Sequence, residues 1–168
     1  MVRLDKLSFE NYGRVLRLEV NENQKDFVEE PATVIALAYA GMEAHMPGEL
    51  CVIYKEEEVA GVVLIGRAEV EEQEPTELQK YKHVYRIMGF QIDQKYQGKG
   101  IGRKAFSLIL DKIAHYPDGQ LIPVALEVEE KNTAALHLYQ SFDFYDSGIR
   151  YGDACAYIRM PKENPSIR

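Results

Sequence analysis

The stretch "DQKYQGKGIGRKAF", residues 93–106, decides how the chain is read. Gly98, Gly100 and Gly102 lie between an apolar run, "HVYRIMGFQI" (83–92), and a helical pattern. In that pattern Ile101, Ala105, Leu108, Ile109, Lys112 and Ile113 recur at helix spacing. A strand entering a helix through glycines leaves the first helical N–H groups uncovered, at the positive end of the helix dipole. An anion can sit on those donors, and Arg103 and Lys104 add positive charge beside them. Three glycines within residues 98–102 favour an anion site over a turn chosen only for tightness.

Outward from this turn the chain alternates strands and helices. "VRLDKLSF" reads as a first strand, and Asn11 to Leu18 as a short amphipathic helix with Asn11 as its cap. A second helix begins near Pro31, with Ile35, Leu37, Ala38 and Met42 expected on its buried side. "ELCVIYKEEEVAGVVLIGRAEV" predicts a hairpin around its charged turn. "EEQEPTELQKYK" reads as a solvated excursion before the run at 83–92. The helix after the glycines, Ile101 to Tyr116, stops at "HYPDGQ". A strand ("LIPVALEVEE"), a helix capped by Asn132 and a final strand pair follow. Without repeats or a linker, one mixed α/β domain over 1–168 is expected.

Bulk properties narrow the partners. The 168 residues are 46% apolar, enough for a real core, and carry a net charge of −7. That charge repels phosphate backbones and argues against general nucleic-acid binding, while favouring cationic ligands. The N-terminus lacks a signal-peptide core and no apolar run approaches a membrane span, so a cytoplasmic protein is expected. Cys51 and Cys155 sit in apolar strand-like runs, form no metal-ligand spacing or disulfide framework, and read as buried hydrophobes.

Two familiar phosphate motifs fit poorly. In a P-loop opened at Gly98, position 103 is Arg, and no Lys-Ser or Lys-Thr pair follows. A G-x-G-x-x-A reading through Gly100, Gly102 and Ala105 falls late in the chain and behind hairpin strands, not on a first parallel strand. A better match covers more residues. "QGKGIG" fits Q/R-x-x-G-x-G/A, and "NTAALHLYQSFDF" adds an Asn-containing helix ending in Tyr and an aromatic-rich turn. Together, in order over roughly residues 50–160, these segments resemble the GNAT superfamily of N-acetyltransferases.

The resemblance implies a mostly antiparallel central sheet flanked by helices, with acetyl-CoA as donor and no metal. It implies that the amides of Gly98, Lys99, Gly100, Ile101, Gly102 and Arg103 hold a pyrophosphate, with Gln97 entering the turn. Main chain at Phe90, Gln91 and Ile92 is expected to pair with the pantetheine arm, and an amide near Gln91 to serve a developing oxyanion. Asn132 and Ala135 are expected beside that arm, although Asn132 fits equally as a simple helix cap. Tyr139, seven residues beyond Asn132, is expected to donate to the departing sulfur.

The base stays open. Met88 stands where many relatives carry a carboxylate, leaving His83, Glu127, Glu129 or an acid in "NENQKDFVEE" as substitutes. The acids Glu22, Asp26 and Glu29 in that segment are expected to bind ammonium groups, or else to form a solvated helix face. The segment is reminiscent of bacterial spermine/spermidine acetyltransferases, which points to a polyamine acceptor. An antibiotic or protein amine, a non-catalytic CoA-binding module and a nucleotide-dependent oxidoreductase are the alternatives. A homodimer through the C-terminal strands is one assembly the resemblance allows.

Overall fold

The computed structural model describes residues 1–162. One seven-stranded sheet runs in the order β1-β2-β3-β4-β5-β7-β6. Its strands are β1 Val2–Lys6, β2 Gly48–Lys55, β3 Glu58–Glu69, β4 His83–Ile92, β5 Val124–Glu129, β6 Tyr145–Tyr151 and β7 Ala154–Arg159. The helices are α1 Tyr12–Val15, α2 Pro31–Glu43, α3 Ile101–Ala114 and α4 Thr133–Gln140, with 3-10 turns at Glu22–Gln24 and Gln94–Tyr96. β2 pairs antiparallel with β1 and β3, and β7 with β5 and β6. β4 runs parallel to β5, with Tyr85 opposite Val124 and Arg86 opposite Ala125. The expected mixed, mostly antiparallel architecture is therefore the one found.

The chain groups into two compact units, one of Met1–Arg67 with Ile87–Asp111, the other of Ala68–Arg86 with the chain from Lys112 onward. In the first, β2 and β3 read as nearly continuous apolar runs because both faces are covered. Val52, Tyr54, Val62 and Leu64 join Val15 of α1 and Val34 of α2 on one face. Ile53 and Ala60 join Ile92, Ile101 and Ala105 on the other. Period-two alternation places neighbours such as Val52 and Ile53 on opposite sides. Burying each such side chain contributes roughly 2 kcal/mol.

α2 approaches β4 closely at Gly89. Val34, fully buried, seats on Gly89, where an added Cβ would lie 2.5 Å from Val34 Cγ2. Gly89 also takes φ +56°, a left-handed conformation that costs any other residue. One residue thus lets the helix approach and turns the strand.

In the second unit Leu78, Val84, Ala125 and Ile158 form the core. The Tyr85 hydroxyl donates to the Pro117 carbonyl at 2.7 Å, and its ring lies 5.7 Å from that of Tyr116. Arg150 donates two guanidinium bonds of 2.8 Å to the Asp146 carboxylate across the β6 bulge.

Four local expectations are corrected. α1 is one turn, not a helix to Leu18, and Asn11 makes no side-chain cap bond. Its amide ties the preceding loop instead, accepting from Ser8 N–H at 2.8 Å and donating to the Lys6 carbonyl at 2.9 Å. On α2 Val34 is fully buried and the expected Ile35 and Ala38 pack half-buried against its cluster, whereas Leu37 and Met42 face solvent, at 42% and 62% exposure. That helix is apolar around most of its circumference, so periodicity could not select the face. Finally, the excursion at 71–82 is only partly solvated, because Pro75 and Leu78 are buried and Glu74 pairs with Arg86.

Candidate active site

The glycine turn owes its shape to positive φ at two positions, +69° at Gly98 and +73° at Gly100. No atom lies within 4 Å of a Cβ added at either, so these glycines serve backbone conformation, and the space before them is open. Alternating left-handed residues just ahead of a helix orient successive N–H groups into one concavity, an anion-binding arrangement. Gly102 differs, for its added Cβ would only touch Ile92 Cγ1 at 3.6 Å, as ordinary packing. Lys99, Arg103 and Lys104 are exposed around the turn, and Ile101 anchors it, 5% exposed. Lys99 donates to the Lys95 carbonyl at 2.7 Å. Open, positively charged and backbone-lined, the turn fits a diphosphate.

Asp93 fixes the entry to that turn. Its carboxylate, 8% exposed, accepts from Lys95 N–H at 3.0 Å and from Glu19 N–H at 3.3 Å. Gln97 is placed differently from a ligand-facing residue. Its Oε1 accepts from Asn21 Nδ2 at 2.6 Å, while Nε2 donates to the Ile92 carbonyl at 2.7 Å and to Gln24 Oε1 at 2.8 Å. Its side chain therefore braces the turn from behind.

Along β4 the main chain of Gln91 points toward β3, since a Cβ on Gly61 would lie 2.3 Å from the Gln91 carbonyl. Strand alternation then turns the main-chain groups of Phe90 and Ile92 to the opposite edge. The side chain of Gln91, 4% exposed, donates to the Glu29 carbonyl at 3.0 Å and so holds the start of α2. The Phe90 ring packs 5.5 Å from that of Phe106. Met88 lies against the apolar cluster around Val34, an environment that would disfavour a charged carboxylate at that position.

In the second unit, the Asn132 carboxamide oxygen accepts from Ala135 N–H at 3.2 Å, capping α4. The cap uses only the oxygen, and the two amide donors are not needed for it. Ala135 serves as the cap's partner through its main chain. Tyr139 is 7% exposed, with its ring 6.2 Å from Phe144, and Phe142 and Phe144 both donate to its carbonyl. Burial pushes its phenol well above the ordinary tyrosine range. It stays protonated at every physiological pH, which leaves its hydroxyl able to donate a hydrogen bond.

Glu74 escaped sequence reading. Its side chain, 7% exposed, pairs with Arg86 of β4, while Oε2 is buried without a hydrogen-bond partner. Burial raises its carboxyl above the ordinary value despite the neighbouring guanidinium. Nothing in a polar, Pro-containing loop sequence marks one of four glutamates as buried. Of the other candidate bases, His83 and Glu129 are half-buried and Glu127 is exposed. Glu22, Asp26 and Glu29 are exposed along the segment between α1 and α2: Glu22 within its 3-10 turn, paired with Lys25 at 2.6 Å, and Glu29 just ahead of α2.

Among the described residues no cluster of His, Cys, Asp or Glu is placed to hold a metal, and no helix is long and apolar enough to cross a membrane. A model of the "Acetyltransferase (GNAT) family" matches residues 12–144. The spermine/spermidine N(1)-acetyltransferase of Bacillus subtilis (strain 168) is 29% identical over 147 residues, 88% of this chain and 90% of the relative. Spermidine N-acetyltransferase from Vibrio cholerae, solved with CoA and spermine, is 18% identical, with a TM-score of 0.63 and 95% of each chain covered. The ribosomal-protein-S18-alanine N-acetyltransferase from Escherichia coli matches as well, with a TM-score of 0.64 at 16% identity over 100% of this chain and 99% of that one. Those two structures, at such identities, speak for the fold.

Proposed function

Since the chain belongs to the acetyltransferase (GNAT) family, we propose that it moves the acetyl group of acetyl-CoA to a primary amine, and that the acceptor is a polyamine. The observation that carries the acceptor is the 29% identity, over 88% of the chain, to a relative named for spermine and spermidine. The net charge of −7 and the acids Glu22, Asp26 and Glu29 agree with a polycation. Fold likeness does not separate this from a protein amine, because a ribosomal-protein acetyltransferase superposes as closely as a spermidine enzyme.

The thioester supplies an acyl group already activated toward amines, and the remaining work falls to this chain. Turn amides from Gly98 to Arg103 neutralise the diphosphate, and main-chain groups of Phe90 and Ile92 bond the pantetheine amides as an added strand would. Asn132, whose cap uses only its carboxamide oxygen, is assigned to the pantetheine arm by the family resemblance alone. Tyr139 donates a hydrogen bond toward the sulfur as negative charge grows there. Because the phenol is more basic as phenolate than a thiolate of pKa about 8.5, the proton need not leave it completely.

The amine must arrive neutral. At pH 7 an alkylammonium of pKa about 10.4 needs roughly 4–5 kcal/mol to do so. With Met88 in place of a carboxylate, the attacking species is the fraction of amine already neutral in solution, and no side-chain base is assigned. An acetyl-CoA consumption assay against spermine, spermidine, amino acids, aminoglycosides and N-terminal peptides tests the reading. Turnover is expected with the polyamines; turnover confined to peptides would overturn the acceptor, and CoA binding with no turnover would favour a non-catalytic module.

A further inference from the structure

The acid-rich segment and the chain leading into the glycine turn are bonded to each other residue by residue. Gln94 N–H donates to the Glu19 carbonyl at 2.7 Å, and Gln94 Nε2 to Glu19 Oε2 at 3.0 Å. Glu19 N–H donates back to Asp93. Three residues beyond Gln94, Gln97 takes a bond from Asn21 and gives one to Gln24, and its second amide hydrogen holds the end of β4 at Ile92. The oxygen and both donors of one carboxamide thus join three pieces of chain.

This arrangement is more than the local segment needs. Glu22–Gln24 is a single 3-10 turn, closed by Gln24 N–H on the Asn21 carbonyl at 2.8 Å and by Asn21 N–H on Gln24 Oε1 at 3.3 Å, and one such turn is too short to hold itself. What fixes that turn in place is Gln97, which directly precedes Gly98. Gly98 is the first left-handed residue of the open turn, so ordering of its peptide by an anion also fixes the backbone that carries the Gln97 side chain.

We propose that Asn21, Gln24 and Gln97 form a positioning latch through which coenzyme bound at the Gly98–Gly102 turn orders the acidic segment that receives the amine. This rests on the reading of the turn as the coenzyme site. The three residues touch neither reacting atom; they act through Glu22, Asp26 and Glu29. Linkage makes the effect reciprocal, so coenzyme strengthens amine binding by the factor with which amine strengthens coenzyme binding, typically about 5- to 150-fold.

Hydrogen–deuterium exchange with CoA alone tests it. In the unsubstituted protein CoA should slow exchange both at residues 98–104 and at residues 19–27. In Asn21→Ala and in Gln24→Ala, protection at 98–104 should remain and protection at 19–27 should vanish. Gln24→Glu keeps the accepting oxygen for both of its donors and should behave as the unsubstituted chain, which separates latch loss from misfolding. With spermine as acceptor, Asn21→Ala should raise KM at least fivefold while kcat stays within twofold. Protection confined to 98–104 in the unsubstituted protein, or protection at 19–27 that survives both alanine variants, overturns the latch alone. No protection at 98–104 overturns the coenzyme reading itself.

Discussion

At the scale of single residues, Tyr139 carries the sharpest consequence of burial. Its phenol lies at 7% exposure and is pushed above the ordinary range. A group that donates only as charge develops should contribute at the lower side of acid–base catalysis. Tyr139→Phe is accordingly expected to lower kcat about 100-fold, with CoA affinity unchanged by calorimetry. The same burial fixes a pH response. A phenol whose folded pKa exceeds its unfolded value of about 10 favours the folded state fully below that pH, and the contribution is lost as pH rises through the folded pKa. No alkaline loss of activity below about pH 9 should therefore trace to Tyr139. Because Met88 lies on an apolar cluster, kcat/KM for the amine should climb about tenfold per unit from pH 6 to 9, tracking free amine. A plateau that sets in well below pH 9 would instead reveal a side-chain base.

The elements show how one glycine or another earns its place by a different physical demand. Gly89 must be small and left-handed at once, since Val34 sits where its Cβ would be. Gly89→Ala should cost roughly 2–4 kcal/mol in denaturant unfolding, from the left-handed penalty plus overpacking, and Val34→Ala in the same background should recover part of it. Gly98 and Gly100 face open space, so alanine there meets no clash. Each substitution should cost about 1–2 kcal/mol of conformational strain in the turn. CoA binding is expected to weaken about tenfold per substitution while Tm falls by only about 2–8 °C. A large Tm loss with normal CoA affinity would contradict the assigned role. α2 and β4 are further joined by Gln91 to the Glu29 carbonyl, so strain at Gly89 should also disturb the acid-rich segment.

For the molecule as a whole, charge is the relevant quantity. A chain of net charge −7 attracts a polycation over distances set by the Debye length, about 10 Å at 0.1 M salt and 3 Å at 1 M. KM for spermine should rise several-fold between 0.05 and 0.5 M salt. A salt-independent spermine KM would argue that the acids Glu22, Asp26 and Glu29 are only a solvated face.

Element types and order were legible in the sequence because they rest on local rules. Apolar runs bounded by turns give the strands, helix spacing gives α3, the Asn132 cap starts α4, and glycines mark the turn between β4 and α3. Tertiary contact decided what those rules leave degenerate. An all-round apolar α2 has no preferred face until Gly89 offers Val34 a seat. Gln97 reads as part of a phosphate motif until Asn21 and Gln24, more than seventy residues away in sequence, claim its carboxamide. Glu74 looks like its exposed neighbours until folding buries it beside Arg86. Periodicity and motif spacing report on near neighbours along the chain, whereas burial and hydrogen-bond partners depend on residues that only the fold brings within reach.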